Sequence, residues 1–179
     1  MFLDPENVIE QFNLGEGMYV ADLGVGKGEY TFAAARKVGD YGVVYGCDLQ
    51  KGNLTSLEKE ARRLGFENIH TIWTDLEEPG GTTLGNASMD AVIASNILFQ
   101  IEHKEYFLQE VFRILKYGGK ALIVDWNDSF GGIGPQSEAV VRRTVAHSLA
   151  EKAGFLFEKD VDAGSHHYGM IFRKPRQRS

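Results

Sequence analysis

The chain has 179 residues, 43% of them hydrophobic and 25% charged, with a formal net charge of −6. Residues 1–179 are therefore read as one domain with room for a three-layer core; the acidic balance argues against a general nucleic-acid surface, and no apolar run approaches the roughly 18 residues of a membrane span. The single cysteine, Cys47, excludes an intramolecular disulfide and a cysteine metal cluster. The first residues, Met1 to Glu6, have neither a basic region nor an apolar signal core, so a cytoplasmic location is expected.

In chain order, Asp4-Pro5-Glu6 reads as an N-cap with proline at the first helical position, and Val8, Ile9 and Phe12 follow at helical spacing. A short helix is thus expected within residues 1–16. Met18 to Asp22 is an apolar first strand. It breaks into Asp22-x-Gly24-x-Gly26-x-Gly28, where glycines can take positive φ and let a ligand approach the backbone. Lys27 to Val38 has the composition of the helix that follows. Tyr41 to Asp48 is a second strand ending in an acid, 20 residues past Gly28. An acid at that distance, with Leu49 beside it, can accept hydrogen bonds from both hydroxyls of a ribose; the bland role for Asp48 is to cap the helix beginning near Lys51. Lys51 to Leu64 carries Leu54, Leu57, Ala61 and Leu64 on one helical face, with Gly65 as C-cap. Asn68 to Asp75 is a third strand, again ending in an acid. Loop follows over residues 79–88, then a fourth, central strand from Met89 to Asn96. A helix from Glu102 to Tyr117, ended by Gly118-Gly119, leads into a fifth strand, Lys120 to Trp126. The glycine-rich stretch from Asn127 to Pro135 is the candidate substrate loop. A helix is expected over Ser137–Ala153, with Val140, Val141, Val145 and Leu149 inward. The last two strands, Phe155–Val161 and His167–Phe172, are joined by a connection too short for a helical crossover, so they must be antiparallel. Arg173, Lys174, Arg176 and Arg178 are read as a solvated basic tail, with residues 175–179 at its end.

The glycine turn is not a dinucleotide fingerprint, which would place a third glycine where Glu29 stands. It resembles motif I of the class I S-adenosylmethionine-dependent methyltransferases, in which an acid precedes the turn. A carboxylate there suits a ligand bearing an ammonium and a sulfonium, where a phosphate would be repelled. Arg113-Ile-Leu-Lys-Tyr-Gly-Gly119 likewise resembles the R-x-L-K-P-G-G junction of the small-molecule and quinone-biosynthesis members, with Tyr117 in place of proline. The resemblance implies an α/β fold: a three-layer, doubly wound sheet of seven strands in the order 3-2-1-4-5-7-6, strand 7 antiparallel, helices on both faces. It implies S-adenosylmethionine as cofactor, held by Asp22, Gly24, Gly26, Gly28, Asp48 and Leu49. Asp75 would bond the adenine amino group and Leu76 pack on the ring; the bland role of Asp75 is a turn aspartate. Asn96 falls at the fourth motif, facing the methionine end or the substrate, and Asp90 is read as structural. The Asn/Asp-Pro-Pro-aromatic tetrad of enzymes acting on base amino groups is replaced by Ser95-Asn-Ile-Leu98, which argues against that substrate.

Methyl transfer is an in-line displacement that positioning can accelerate, with a base needed only for a protonated nucleophile. The base candidates are His103, Asp125 and His166, with His167 beside the last; no motif surrounds them. Alternation would point only one of His166 and His167 toward a site. Phe99, Trp126 and Phe130 are candidates to line the acceptor pocket. No histidine pair at helical spacing suggests a metal. The expected function is therefore methyl transfer to a small-molecule acceptor. The alternatives are a cofactor-binding, catalytically silent partner subunit, which the short segment before the first strand would permit in a homo- or hetero-oligomer, and a dinucleotide oxidoreductase, which Glu29 opposes. The lone cysteine counts against arsenite methylation, which in the enzymes that perform it needs several.

Overall fold

The computed structural model describes residues 3–129 and 132–177. Alternating burial builds its centre. Val20, Val44, Ile93 and Val124 point to one face of a sheet, while Ala21, Leu23, Cys47, Ala94 and Ile123 point to the other, as the period of two along a strand requires. The strands are β1 (Tyr19–Leu23), β2 (Val43–Asp48), β3 (Ile69–Trp73), β4 (Met89–Ser95), β5 (Leu115–Trp126), β6 (Leu156–Val161) and β7 (His167–Arg173). They form one sheet in the order β3-β2-β1-β4-β5-β7-β6. Only β7 runs against its neighbours, pairing antiparallel with both β5 and β6.

Helices cover both faces. On the first lie α1 (Pro5–Phe12), α2 (Glu29–Val38) and α3 (Lys51–Leu64). Val8, Ile9 and Phe12 of α1 pack with Ala33, Ala34 and Val38 of α2, and Leu54, Leu57 and Ala61 of α3 meet Phe32. On the second lie α4 (Lys104–Ile114) and α5 (Arg143–Lys152), which bury Phe107, Leu108, Val111, Ala146 and Ala150. The sequence signals act as read at α1, where Asp4 accepts the Glu6 N–H at 3.1 Å ahead of Pro5, and at Gly65, which caps α3 in the left-handed conformation.

Three expectations are corrected. First, α4 ends at Ile114 rather than Tyr117, because Leu115 already pairs with Met89 in the sheet. Gly118 and Gly119 therefore lie within β5, beside a register shift opposite Met89 and Ala91. Second, α5 starts at Arg143, not Ser137, and its buried residues are Ala146 and Ala150, leaving Val145 exposed. Third, the basic run near the end is not a solvated tail as a whole. Arg173 belongs to β7 and pairs with Glu158. Lys174 is 4% exposed, its ammonium donating to the carbonyls of Phe112 and Leu115 at 2.7 Å each. It closes the C-terminal end of α4, where carbonyls lack helical partners. Arg178 lies outside the described residues.

Arg113 of the sequence junction has a packing role. It forks onto the buried Glu110, whose carboxylate also accepts the Gly80 N–H, the Thr82 N–H and the Thr82 hydroxyl. Burial alone would raise Glu110, but these bonds hold it below the usual carboxylate range. The pair ties loop 79–88 to α4.

Candidate active site

The carboxyl ends of the central parallel strands open into one cavity of about 570 Å³, within the range of small-molecule sites. The first wall is the turn after β1. Gly24 has φ +87°, and a Cβ there would meet Ile97 Cδ1 at 2.9 Å; at Gly26, with φ +50°, the space of a side chain is open. A side chain at Gly24 would strain the left-handed backbone and displace the Ile97 tip, and one at Gly26 would stand where a ligand could lie against the backbone. Gly28 is set behind the turn, as the N-cap of α2 against Leu57 and Phe32, and does not line the cavity.

Asp22, Asp48, Leu49, Asp75, Leu76 and Asn96 do line it. Asp22 is 2% exposed and accepts the Thr31 hydroxyl at 2.5 Å. Burial, with the Asp48 charge adding to it, pushes its carboxyl up to about 7 despite that bond. Asp48 is held differently: Oδ1 accepts the Gln50 N–H at 2.8 Å, and Oδ2 accepts the Gly26 N–H at 3.2 Å and the Asn53 amide at 3.1 Å. It thus locks the two turns together and orders the start of α3, while a carboxylate's roughly four acceptor positions leave capacity toward the cavity. Asp75 is exposed and accepts the Glu77 N–H at 3.0 Å, a local turn bond. Asn96 sits at the end of β4 with φ +54°, a conformation asparagine tolerates and that functional sites often hold.

In its lining, three buried polar atoms have no hydrogen-bond partner among the described residues: Tyr30 Oη, Ser95 Oγ and Asn96 Oδ1. Tyr30 and Ser95 neighbour each other without reaching hydrogen-bond geometry. Burial pushes the Tyr30 phenol up, so it keeps its proton as a donor. Unpaired buried groups are costly, and all three belong to residues that line the cavity. Ile97, Phe99, Ile101 and Trp126, with Gly134 from the glycine-rich loop, add apolar lining, Ile97 lying against the glycine turn itself. Phe130 lies outside the described residues.

None of the three base candidates reaches the cavity. His103 is the N-cap of α4, its N–H donating to Glu77 Oε1 at 2.7 Å, and it borders a separate surface hollow with Tyr106. Asp125 is wholly buried and accepts the Leu98 N–H at 2.9 Å and the Trp126 N–H at 2.8 Å; burial pushes it up to about 6. It fixes the loop after β4 against the end of β5. His166 Nδ1 lies 3.2 Å from Asp128 Oδ1. His167 points the other way, buried beneath Trp126 with ring centroids 4.1 Å apart, and burial lowers its pKa. Tyr30, Asn53, Glu77 and Gln100 line the cavity without any motif to mark them. Among the described residues, no cluster of histidine, cysteine or acid side chains could hold a metal ion, and no helix is long and apolar enough to cross a membrane.

This fold, with an acid-flanked glycine turn opening into a cavity at the strand ends, defines a class I methyltransferase architecture. A family model described as a methyltransferase domain matches residues 14–168. The chain belongs to that family, the S-adenosylmethionine-dependent class I methyltransferases, and S-adenosylmethionine is its cofactor. It is 28% identical to human arsenite methyltransferase over 163 residues, 78% of this chain and 42% of that protein. It is 29% identical to the ubiquinone/menaquinone biosynthesis C-methyltransferase UbiE of Vibrio campbellii over 148 residues, 82% of this chain and 54% of that protein. The chain thus spans about half the length of these curated relatives. A solved S-adenosylmethionine-dependent methyltransferase from Aquifex aeolicus superposes with a TM-score of 0.86 at 26% identity, over 96% of this chain and 89% of that one.

Proposed function

We propose that residues 1–179 act as one catalytic domain that transfers a methyl group from S-adenosylmethionine to an apolar, aromatic small molecule of the quinol type. The observation that carries this reading is a single cavity with two chemistries. Carboxylates and residues with unpaired polar atoms share its lining with the apolar Ile97, Phe99, Ile101 and Trp126. Asp22 would face the cofactor's cationic groups, Asp48 its ribose, and Asp75 and Leu76 its adenine. Leu49 would flank the ring, and Tyr30, Ser95 and Asn96 would supply the polar contacts now missing. Gly24 and Gly26 would let it approach the backbone, with Gly28 keeping α2 clear behind them. When bound, the cofactor supplies an electrophilic methyl group. The protein's part is to orient the acceptor and exclude water, since no histidine stands among the described residues lining the cavity.

Two similar proteins carry different acceptors in their names, and the cysteine separates them. Cys47 is fully buried within β2, and burial pushes its thiol up, so it offers no thiolate to a trivalent arsenical. A transfer assay with methyl-labelled S-adenosylmethionine, offering a hydroquinone with a free ring position or arsenite with glutathione, tests the acceptor class. Label is expected in the hydroquinone alone. Label in the arsenical, or none in the hydroquinone, contradicts the assignment; cofactor binding without transfer to any acceptor would instead match a silent partner subunit.

A further inference from the structure

Trp73 is 58% exposed at the end of β3, yet its one polar atom is engaged. Its position is specific. In the parallel β2–β3 register Trp73 lies opposite Asp48, and its indole N–H reaches past that residue to donate to the Leu49 carbonyl at 2.8 Å. The Thr74 N–H takes the Asp48 carbonyl at 3.1 Å. Two successive carbonyls of the turn are therefore held from β3, one by backbone and one by this side chain. One face of the indole carries the Lys51 ammonium, 4.3 Å from the ring centroid, in the first turn of α3. Leu49 itself is 55% exposed and lines the cavity. The ring thus joins β3, the turn and α3 behind the one acid whose carboxylate spans both turns of the site.

We propose that Trp73 is a positioning residue for the nucleoside end of the site: its indole N–H sets the Asp48-Leu49-Gln50 turn in the geometry that grips an adenosine. This rests on the cofactor reading above. The Leu49 carbonyl is near solvent, so releasing it would let water take the bond. The loss would fall on preorganisation of the turn rather than on desolvation, and a few-fold change in affinity is its proper size.

The test is calorimetric titration of wild type, Trp73→Phe and Trp73→Ala with S-adenosylhomocysteine and with 5′-methylthioadenosine, which lacks the amino-acid end, alongside thermal melts. Trp73→Phe, which keeps a ring and loses only the donor, is expected to weaken both ligands by about fivefold, and Trp73→Ala by about tenfold. The ratio of the two affinities should not change, and the melting midpoint should stay within about 3 °C of wild type. Wild-type affinity in both variants overturns the proposal and leaves the cofactor reading intact. So does a loss accompanied by a fall in midpoint or a changed ratio, because that is general loosening. If wild type binds neither ligand, the cofactor reading itself fails.

Discussion

Asp22 and Asp48 end up in one cavity from adjacent strands, yet the protein keeps them in different states. Asp48 spends its oxygens on backbone and amide donors, whereas Asp22 has one hydroxyl partner and is pushed up to about 7 by burial. Below that pH Asp22 is neutral and gives a cationic ligand nothing to pair with; above it the carboxylate is charged. Affinity for S-adenosylmethionine should therefore rise with pH, by up to about tenfold per unit, and level off above 7. Asp22→Asn should bind more weakly and flatten the profile between pH 5.5 and 7.5, on the order of the window above. An unchanged slope in that variant would assign the titration to another group. The acids themselves were legible, because each stands at the end of an apolar run. Tyr30, Asn53 and Gln100 were not: they reach the cavity through the rotation of α2, the first turn of α3 and the loop after β4, and a linear spacing does not encode that.

Among the elements, the junction of α4 and β5 shows how tertiary pairing overrides local pattern. The apolar spacing through Leu115 continues a helix on paper, but the sheet claims Leu115 as the partner of Met89 and the helix stops one residue earlier. The carbonyls left open at its end are taken by Lys174, the residue directly after β7. Lys174→Met keeps the stem and removes the donors, so two carbonyls lose their charged partner. A loss of about 2 kcal/mol is expected, read as a lower urea midpoint with unchanged slope. An unmoved midpoint would mean that water replaces the ammonium. The sequence showed a basic run near the chain end without showing that one member is buried, since its partners lie some sixty residues away. By contrast, the bounds of α3 were readable, because its own apolar stripe and Gly65 are local signals, although Leu64, read on that stripe, is exposed.

For the molecule as a whole, the strand order places β1 and β4 side by side, so the loops after them open a crevice at their carboxyl ends. The order and the reversed β7 followed from the resemblance and the short β6–β7 connection, and Phe99, Trp126 and Gly134, read at strand ends and in the glycine-rich loop, do line the cavity. Everything proposed for this protein depends on what enters that crevice. The most direct measurement is calorimetric titration of S-adenosylmethionine into the wild type and Asp48→Ala, with NAD beside it. The account predicts micromolar binding of S-adenosylmethionine that Asp48→Ala abolishes, and no heat from NAD. Binding of NAD in its place, or S-adenosylmethionine affinity indifferent to Asp48, would contradict it.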